Sequence, residues 1–201
     1  MIFMQGECIS IDKALKKYNK CIDESYLPIR NDEDLRRYFT RIHEEVQKEI
    51  VDNGVYSIVR KEDLSEDFIQ RTIKDIIITK CCKIGLKEIQ IDREVALQDN
   101  KRTDLLVRYG LSNPIMIELK LLHNQEIQND AKRNDYKSKF IQYTRATNAC
   151  LSVFWVFDTN HDGCNQNKFD KLKSEYETLN NTMVILTKCK CRCQKETGIE
   201  K

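Results

Sequence analysis

Two short apolar runs in the second half of the chain most constrain its fold. Residues 115–122 and 151–157 are apolar on both sides of an extended chain, interrupted only by Glu118 and Lys120 in the first run and by Ser152 in the second. Strands with this pattern are typical of a sheet that is covered on both faces, whereas a half-exposed strand alternates apolar and polar residues. The chain is therefore expected to fold around a central sheet with helices on its faces.

The segments around these runs predict the remaining elements. Helical spacing of apolar residues and cap residues at the ends predict a helix from Asn31 or Asp32 to Gly54, and a second from Ser65 to Gly85. Further strands are predicted at 89–95, 105–107 and 182–186, and further helices at 125–148 and 169–179. An antiparallel meander of three strands followed by helical crossovers makes an α/β fold with a mixed sheet.

Three charged residues stand in the predicted hairpin of this sheet. Asp104 opens one strand, and Glu118 and Lys120 close the next. Side chains two residues apart point to the same face of a strand, so the hairpin brings all three groups together. Two carboxylates beside a lysine suit a divalent metal and phosphate chemistry. A surface ion pair on an edge strand is the alternative, but the apolar flanks indicate burial, where charges need partners.

The motif and the order of elements together resemble the PD-(D/E)xK nuclease superfamily, whose restriction-endonuclease-like core has the order αβββαβ. Thr103 stands where the motif often has Pro, and the resemblance covers about residues 62–188. It implies that Asp104, Glu118 and the backbone carbonyl of Leu119 bind Mg²⁺, with Mn²⁺ as a substitute. It also implies that Lys120 orients the attacking water or stabilises charge on the phosphorus.

The resemblance implies a further carboxylate on the helix before the first strand. Glu66 fits that position better than Glu62, although an acid in the first turn also favours a helix electrostatically. Some branches carry a Gln and a Tyr four residues apart on the helix after the motif. Here Gln142 and Tyr143 are adjacent and face about 100° apart. We therefore expect Gln142 to face the site and Tyr143 to pack in the core.

Basic residues near the motif are candidate contacts for a nucleic-acid backbone. The net charge is only +2 although 33% of residues are charged, so any basic surface must be local. A solvated helix face is an equally good interpretation of the bases on the predicted 125–148 helix. The candidates for binding nucleic acid are Lys101, Arg102, Lys137, Lys139 and Arg145.

The apolar pattern and the cysteine content indicate the cellular compartment of the protein and the redox state of its cysteines. No apolar run reaches the roughly 20 residues that cross a bilayer, and the first residues lack a basic start and a long apolar stretch, so a cytoplasmic location is expected. Nine cysteines in such a chain are expected to be reduced thiols. Cys189, Cys191 and Cys193 share one face of an extended tail and either remain reduced or bind a soft metal with His161 and Cys164.

These patterns predict three regions and one function. Residues 1–60 form an N-terminal helical extension, within the same domain or as an accessory element, residues 61–188 a nuclease-like domain, and residues 189–201 a Cys- and Lys-rich tail. The resemblance implies a Mg²⁺-dependent endonuclease acting on DNA, although the residues themselves do not separate DNA from RNA. Recognition or motor functions have to come from a homodimer or another protein. The alternatives are a catalytically inactive nuclease-fold module that binds nucleic acid or protein, and an unrelated α/β interaction domain.

Overall fold

The central feature of the structure, a computed structural model, is a five-stranded mixed sheet. The structure describes residues 2–4, 7–9, 29–52, 65–83, 86, 88–97, 102–158 and 166–188. The strands lie in chain order across the sheet: β3 (Gln90–Ala96), β4 (Arg102–Arg108), β5 (Ile115–Leu121), β6 (Leu151–Asp158) and β7 (Thr182–Lys188). β3, β4 and β5 pair antiparallel, and β5, β6 and β7 pair parallel.

Helices cover both faces of this sheet. Two precede it, α1 (Asp32–Asp52) and α2 (Glu66–Lys83). Between β5 and β6 lie α3 (Gln125–Gln128) and α4 (Asp130–Thr147), and α5 (Gln166–Tyr176) joins β6 to β7. Within these described elements, no helix is long and apolar enough to span a membrane.

Strand alternation divides the core into two layers. One layer packs α1 and α2 against residues such as Leu105, Ile117 and Leu119, and the other packs α4 and α5 against residues such as Leu106 and Phe154. All eight residues of β6 are buried. The prediction of an α/β fold with helices on both faces of a mixed sheet is thus confirmed.

Cap residues explain where α1 and α2 begin, whereas the predicted stops Gly54 and Gly85 lie outside the described residues. Asn31 Oδ1 accepts from the Asp34 amide at 2.9 Å, and Ser65 Oγ accepts from the Phe68 amide at 3.2 Å, as expected for N-caps. The two caps place the starts of α1 and α2 where the sequence predicts them.

The hairpin between β4 and β5 turns at Gly110, whose φ of 54° suits glycine.

Two details of the structure differ from the sequence prediction. The predicted helix at 125–148 is divided, because Asn129 has extended backbone geometry and its side chain caps α4 by accepting from the Lys132 amide. The segment predicted as an N-terminal helical extension contains α1, but it also carries an antiparallel pair of strands, β1 (Ile2–Met4) and β2 (Glu7–Ile9). Both differences are local and leave the central sheet unchanged.

Candidate functional site

The site forms where β4 and β5 separate. Their pairing ends with Leu105 opposite Ile117. Beyond this point the Asp104 amide donates to Glu118 Oε1 at 3.3 Å, and the Leu119 amide donates to Asp104 Oδ2 at 2.7 Å. The two carboxylates therefore take the place of backbone acceptors between the strands. Because the N–H and C=O of one strand residue point to the same side, the Leu119 carbonyl is directed toward this gap as well.

Glu118 is the most deeply buried charge-bearing group of the site, with only 2% of its surface exposed. The Tyr136 hydroxyl on α4 donates to Glu118 Oε2 at 2.6 Å. Burial, and next the neighbouring Asp104 carboxylate, raise the pKa of Glu118 above its ordinary range. A nearby cation would stabilise the ionised form of a carboxylate in such surroundings.

Asp104 is held by α2 and by the backbone of β5. Gln70 Nε2 donates to Asp104 Oδ1 at 2.8 Å, and the Leu119 amide holds Oδ2. Burial raises the pKa of Asp104, and the Leu119 hydrogen bond and the Lys120 charge offset only part of that rise. Among the described residues, Gln70 and the Leu119 amide each donate to one oxygen of this carboxylate, and a carboxylate oxygen can accept more than one hydrogen bond.

Lys120 lies on the same strand face as Glu118, and Glu66 at the start of α2 holds its ammonium group. Lys120 Nζ lies 3.0 Å from Glu66 Oε2 and 5.3 Å from the centre of the Tyr136 ring. Asn124 Nδ2 donates to the other oxygen of Glu66. Burial alone would lower the pKa of Lys120, but the carboxylates of Glu66, Asp104 and Glu118 together raise it. Lys120 is therefore a cation in this arrangement.

The oxygen donors of the gap suit a hard divalent cation. No group of three or more His, Cys, Asp or Glu side chains is arranged to hold a metal among the described residues. The gap instead offers two carboxylates, Asp104 and Glu118, with the Leu119 carbonyl directed toward them. Mg²⁺ is commonly bound through one or two carboxylates while it keeps several waters or contacts substrate phosphate. The donor set therefore fits Mg²⁺.

The structure brings together the predicted residues Asp104, Glu118, Lys120 and Glu66. Gln142 is exposed on α4. Tyr143, which was expected to pack in the core, is half-buried, and its pKa is raised by burial and next by Glu118 and Asp104. Tyr143 therefore lies within the electrostatic field of the two carboxylates.

The predicted basic contacts that the structure describes lie on β4 and α4. Arg102 is exposed, with Nη1 3.3 Å from Glu94 Oε2. Lys137 donates to the Glu175 carbonyl on α5 and lies 5.9 Å from the Tyr176 ring centre. Lys139 is exposed.

Arg145 lines a cavity of about 380 Å³ together with Thr182. Thr182 opens β7 and pairs with Ser152 near the start of β6, whereas Lys120 pairs with Val156 near the end of β6. Arg145 therefore lies toward the opposite end of the parallel strands from Lys120.

Several sequence candidates lie outside the described residues. They are Glu62, Lys101, His161, Cys164, Cys189, Cys191 and Cys193. Of the cysteines that the structure describes, Cys81 and Cys150 are buried free thiols and Cys82 is an exposed one. The two buried thiols pack in the core, as expected for reduced cysteines.

Sequence reasoning missed three residues that contact the predicted ones, Gln70, Tyr136 and Asn124, and a fourth, Arg93, that contacts Gln70. Gln70 lies one helical turn after Glu66, and Tyr136 lies one turn before Phe140, so helical spacing carried a signal for both. Asn124 holds Glu66 from the loop after β5, and Arg93 on β3 contacts Gln70 at 3.3 Å. No sequence signal marks these last two, because their contacts join elements that are distant along the chain.

Comparisons with known proteins assign the chain to a family without assigning it a function. The family model described as "Domain of unknown function (DUF8371)" matches residues 35–161, and the chain belongs to this family. The matched span runs from α1 to just beyond β6 and includes the whole site described above. No curated protein matches the chain.

Among solved structures, the chain is similar to the structure of Pyrococcus furiosus SfsA in complex with Ca²⁺. The identity is 15% and the TM-score is 0.40, with 61% of this chain and 57% of that chain covered. This chain therefore spans a little over half the length of that structure.

Proposed function

We propose that this protein is a Mg²⁺-dependent nuclease with a restriction-endonuclease-like core, which hydrolyses phosphodiester bonds of DNA. The observation that carries the proposal is the convergence of Asp104, Glu118 and Lys120 at the gap between β4 and β5. The order of α2, β3, β4, β5, α4 and β6 agrees with the αβββαβ order of that superfamily. Three charged side chains of the required types at one buried point are a far more specific signal than the short motif alone.

The carboxylates are the proposed metal ligands, together with the Leu119 carbonyl. A Mg²⁺ ion held by these oxygens would supply polarisation of a phosphoryl oxygen and a lower pKa for the attacking water. Asp104 and Glu118 would supply carboxylate oxygens to the cation, and a bound cation favours their ionised forms. Tyr136 and Gln70 keep the carboxylates in place through their hydrogen bonds.

Lys120 is proposed to act as a fixed positive charge. Its pKa is raised, so it is protonated at neutral pH and does not abstract a proton in this state. Its ammonium group is suited to orienting a water or to stabilising the charge that develops on the phosphorus. Glu66 holds Lys120 in position through the contact at 3.0 Å.

Metal-dependent cleavage tests the proposal directly. Purified wild-type protein and Lys120→Ala are incubated with supercoiled plasmid, linear duplex, single-stranded DNA and RNA in Mg²⁺, Mn²⁺ or EDTA. Lys48→Ala, at an exposed position of α1, is the matched control. We expect cleavage of DNA that requires metal, is lost in Lys120→Ala and is retained in Lys48→Ala. Nicking of the plasmid would identify an endonuclease.

The outcomes also separate the alternatives. Metal-dependent cleavage of RNA alone would retain the nuclease and change its substrate. Binding of nucleic acid without cleavage, equal in wild type and Lys120→Ala, would favour a catalytically inactive module of the same fold. Neither binding nor cleavage would leave an α/β interaction domain as the better account.

A further inference from the structure

The neutral side chain of Gln70 holds Asp104, and the charged side chain of Arg93 orients Gln70. Gln70 Nε2 donates to Asp104 Oδ1 at 2.8 Å, and Gln70 Oε1 accepts from Arg93 Nη2 at 3.3 Å. Arg93 is in turn paired with Asp67 in the first turn of α2. A chain of hydrogen bonds therefore runs from Asp67 through Arg93 and Gln70 to Asp104.

Arg93 determines which end of the Gln70 amide faces Asp104. The amide has an oxygen that accepts and a nitrogen that donates, while a guanidinium only donates and an ionised carboxylate only accepts. The oxygen must therefore face Arg93, and the nitrogen must face Asp104. The opposite orientation would put two acceptors against each other and two donors against each other. Since Gln70 is only 6% exposed, water cannot readily compensate for such a mismatch.

A neutral hydrogen-bond donor such as Gln70 suits a carboxylate that is to bind a cation. An arginine in direct contact with Asp104 could pair with both carboxylate oxygens and compete with a metal ion for them. Gln70 occupies a single acceptor position on Oδ1, and it leaves the negative charge of Asp104 unneutralised. The guanidinium of Arg93 still favours the charged carboxylate, but it acts from one side chain further away.

We propose that Gln70, oriented by Arg93, is a positioning residue that sets the affinity of Asp104 for a divalent cation. This inference rests on the proposed function, in which Asp104 is a metal ligand. It goes beyond the predicted site because Gln70 and Arg93 belong to elements outside the Asp–Glu–Lys motif. Gln70 lies on α2 and Arg93 on β3.

Mn²⁺ binding by the full chain, followed by electron paramagnetic resonance without nucleic acid, tests the inference. We expect Gln70→Leu to raise the Kd for Mn²⁺ about 10-fold, the usual size of an effect from a residue that orients a metal ligand. Arg93→Leu should raise the Kd by a smaller factor. Because Arg93 acts through Gln70, the double variant should bind no more weakly than Gln70→Leu. Thermal unfolding in EDTA establishes that each variant is folded.

Two controls define the site that is being measured. Asp104→Ala should abolish the Mn²⁺ signal of the proposed site, and Gln90→Leu makes the same substitution at an exposed position of β3. Gln90→Leu should bind Mn²⁺ as the wild type does. Arg93 is partly exposed on β3, so Arg93→Leu tests the inference even if Gln70→Leu fails to fold.

Each outcome either supports or overturns the inference. Wild-type affinity in Gln70→Leu or in Arg93→Leu, or losses that simply add in the double variant, would overturn it and leave the nuclease proposal standing. Wild-type protein without an Asp104-dependent Mn²⁺ site would overturn both. Normal Mn²⁺ binding that depends on Gln70, without cleavage of any substrate, would overturn the nuclease proposal and support this inference.

Discussion

Glu118 shows what single residues contribute to this site. It sits in a strand of apolar residues and is almost fully buried, yet both of its oxygens accept hydrogen bonds, from the Asp104 amide and from the Tyr136 hydroxyl. Burial beside a second carboxylate is unfavourable for folding, because the charged forms lose hydration and repel one another. A residue that costs stability in this way is characteristic of a site whose arrangement serves binding or chemistry.

The carboxylates should make the metal-free protein less stable as the pH rises. Their raised pKa values mean that the folded state retains protons that the unfolded chain releases above the ordinary carboxyl range, about pH 4.3. Where the unfolded chain binds fewer protons, the free energy of unfolding falls with rising pH. Urea unfolding in EDTA between pH 4.5 and pH 8 should therefore show a steeper fall for wild type than for Glu118→Gln.

Glu88→Gln, at an exposed position before β3, is the control for this measurement and should keep the wild-type slope. Addition of Mg²⁺ should reduce the fall in the wild type, because a bound cation favours the ionised carboxylates. Equal slopes for wild type and Glu118→Gln would contradict the interpretation of Glu118 as a buried carboxylate with a raised pKa.

Tyr136→Phe should destabilise the protein by about 1–3 kcal/mol, because it leaves a buried oxygen of Glu118 without its donor. Tyr109→Phe, at a half-buried tyrosine next to the β4–β5 turn, is the matched control. Its effect should be smaller. Urea unfolding at constant pH measures both variants, and equal effects would show that the Tyr136 hydroxyl has no special role.

At the scale of elements, α2 connects the core to the site. Its apolar residues Ile69, Ile73 and Ile77 are fully buried against the sheet. Its first two turns carry Glu66 and Gln70, which contact Lys120 and Asp104. The position of this helix start therefore affects two of the three motif residues at once.

Ser65→Ala should weaken the start of α2. Ser65 Oγ accepts from the Phe68 amide, and loss of such a cap typically costs about 1 kcal/mol. Ser138→Ala, within the exposed part of α4, is the matched control. Ser138 Oγ donates to the Asn134 carbonyl inside the helix, so alanine there should be neutral or slightly stabilising. Chemical unfolding compares the two, and a cap effect no larger than the control would argue against this role for Ser65.

At the scale of the whole molecule, α1 packs against the central sheet. Leu35, Phe39, Val46 and Ile50 of α1 lie in the same buried cluster as residues of β4, β5 and β6. Gln47 Nε2 also donates to the Leu186 carbonyl of β7 at 2.8 Å. We therefore expect α1 to stabilise the central sheet and to unfold with it.

Leu35→Ala should therefore destabilise the entire fold by about 2–5 kcal/mol, as expected for a leucine with 1% exposure. Leu111→Ala makes the same substitution at a fully exposed position and should change stability by less than about 0.5 kcal/mol. Fluorescence of the buried Trp155 and far-UV circular dichroism should report the same single transition. A separate early transition in circular dichroism alone would show that α1 is an independent element.

The sequence by itself determined the order and type of the main elements and the identity of the charged residues in the hairpin. Local patterns suffice for these: Ser65 and Asn31 cap helices through nearby amides, and the nearly continuous apolar run at 151–157 predicts a strand that is buried on both sides. Strand alternation likewise put Glu118 and Lys120 on one face. Such features depend on neighbours within a few positions along the chain.

Only the tertiary structure decided which distant side chains complete the site. Gln70 and Tyr136 reach the carboxylates from two different helices, and Arg93 reaches Gln70 from β3. The separation of β4 from β5 lets Asp104 and Glu118 accept backbone hydrogen bonds. The tertiary structure also decided that Arg145 lines a cavity near the start of β7. Helix and strand patterns specify which way a side chain faces, but contacts between elements depend on how the whole core packs.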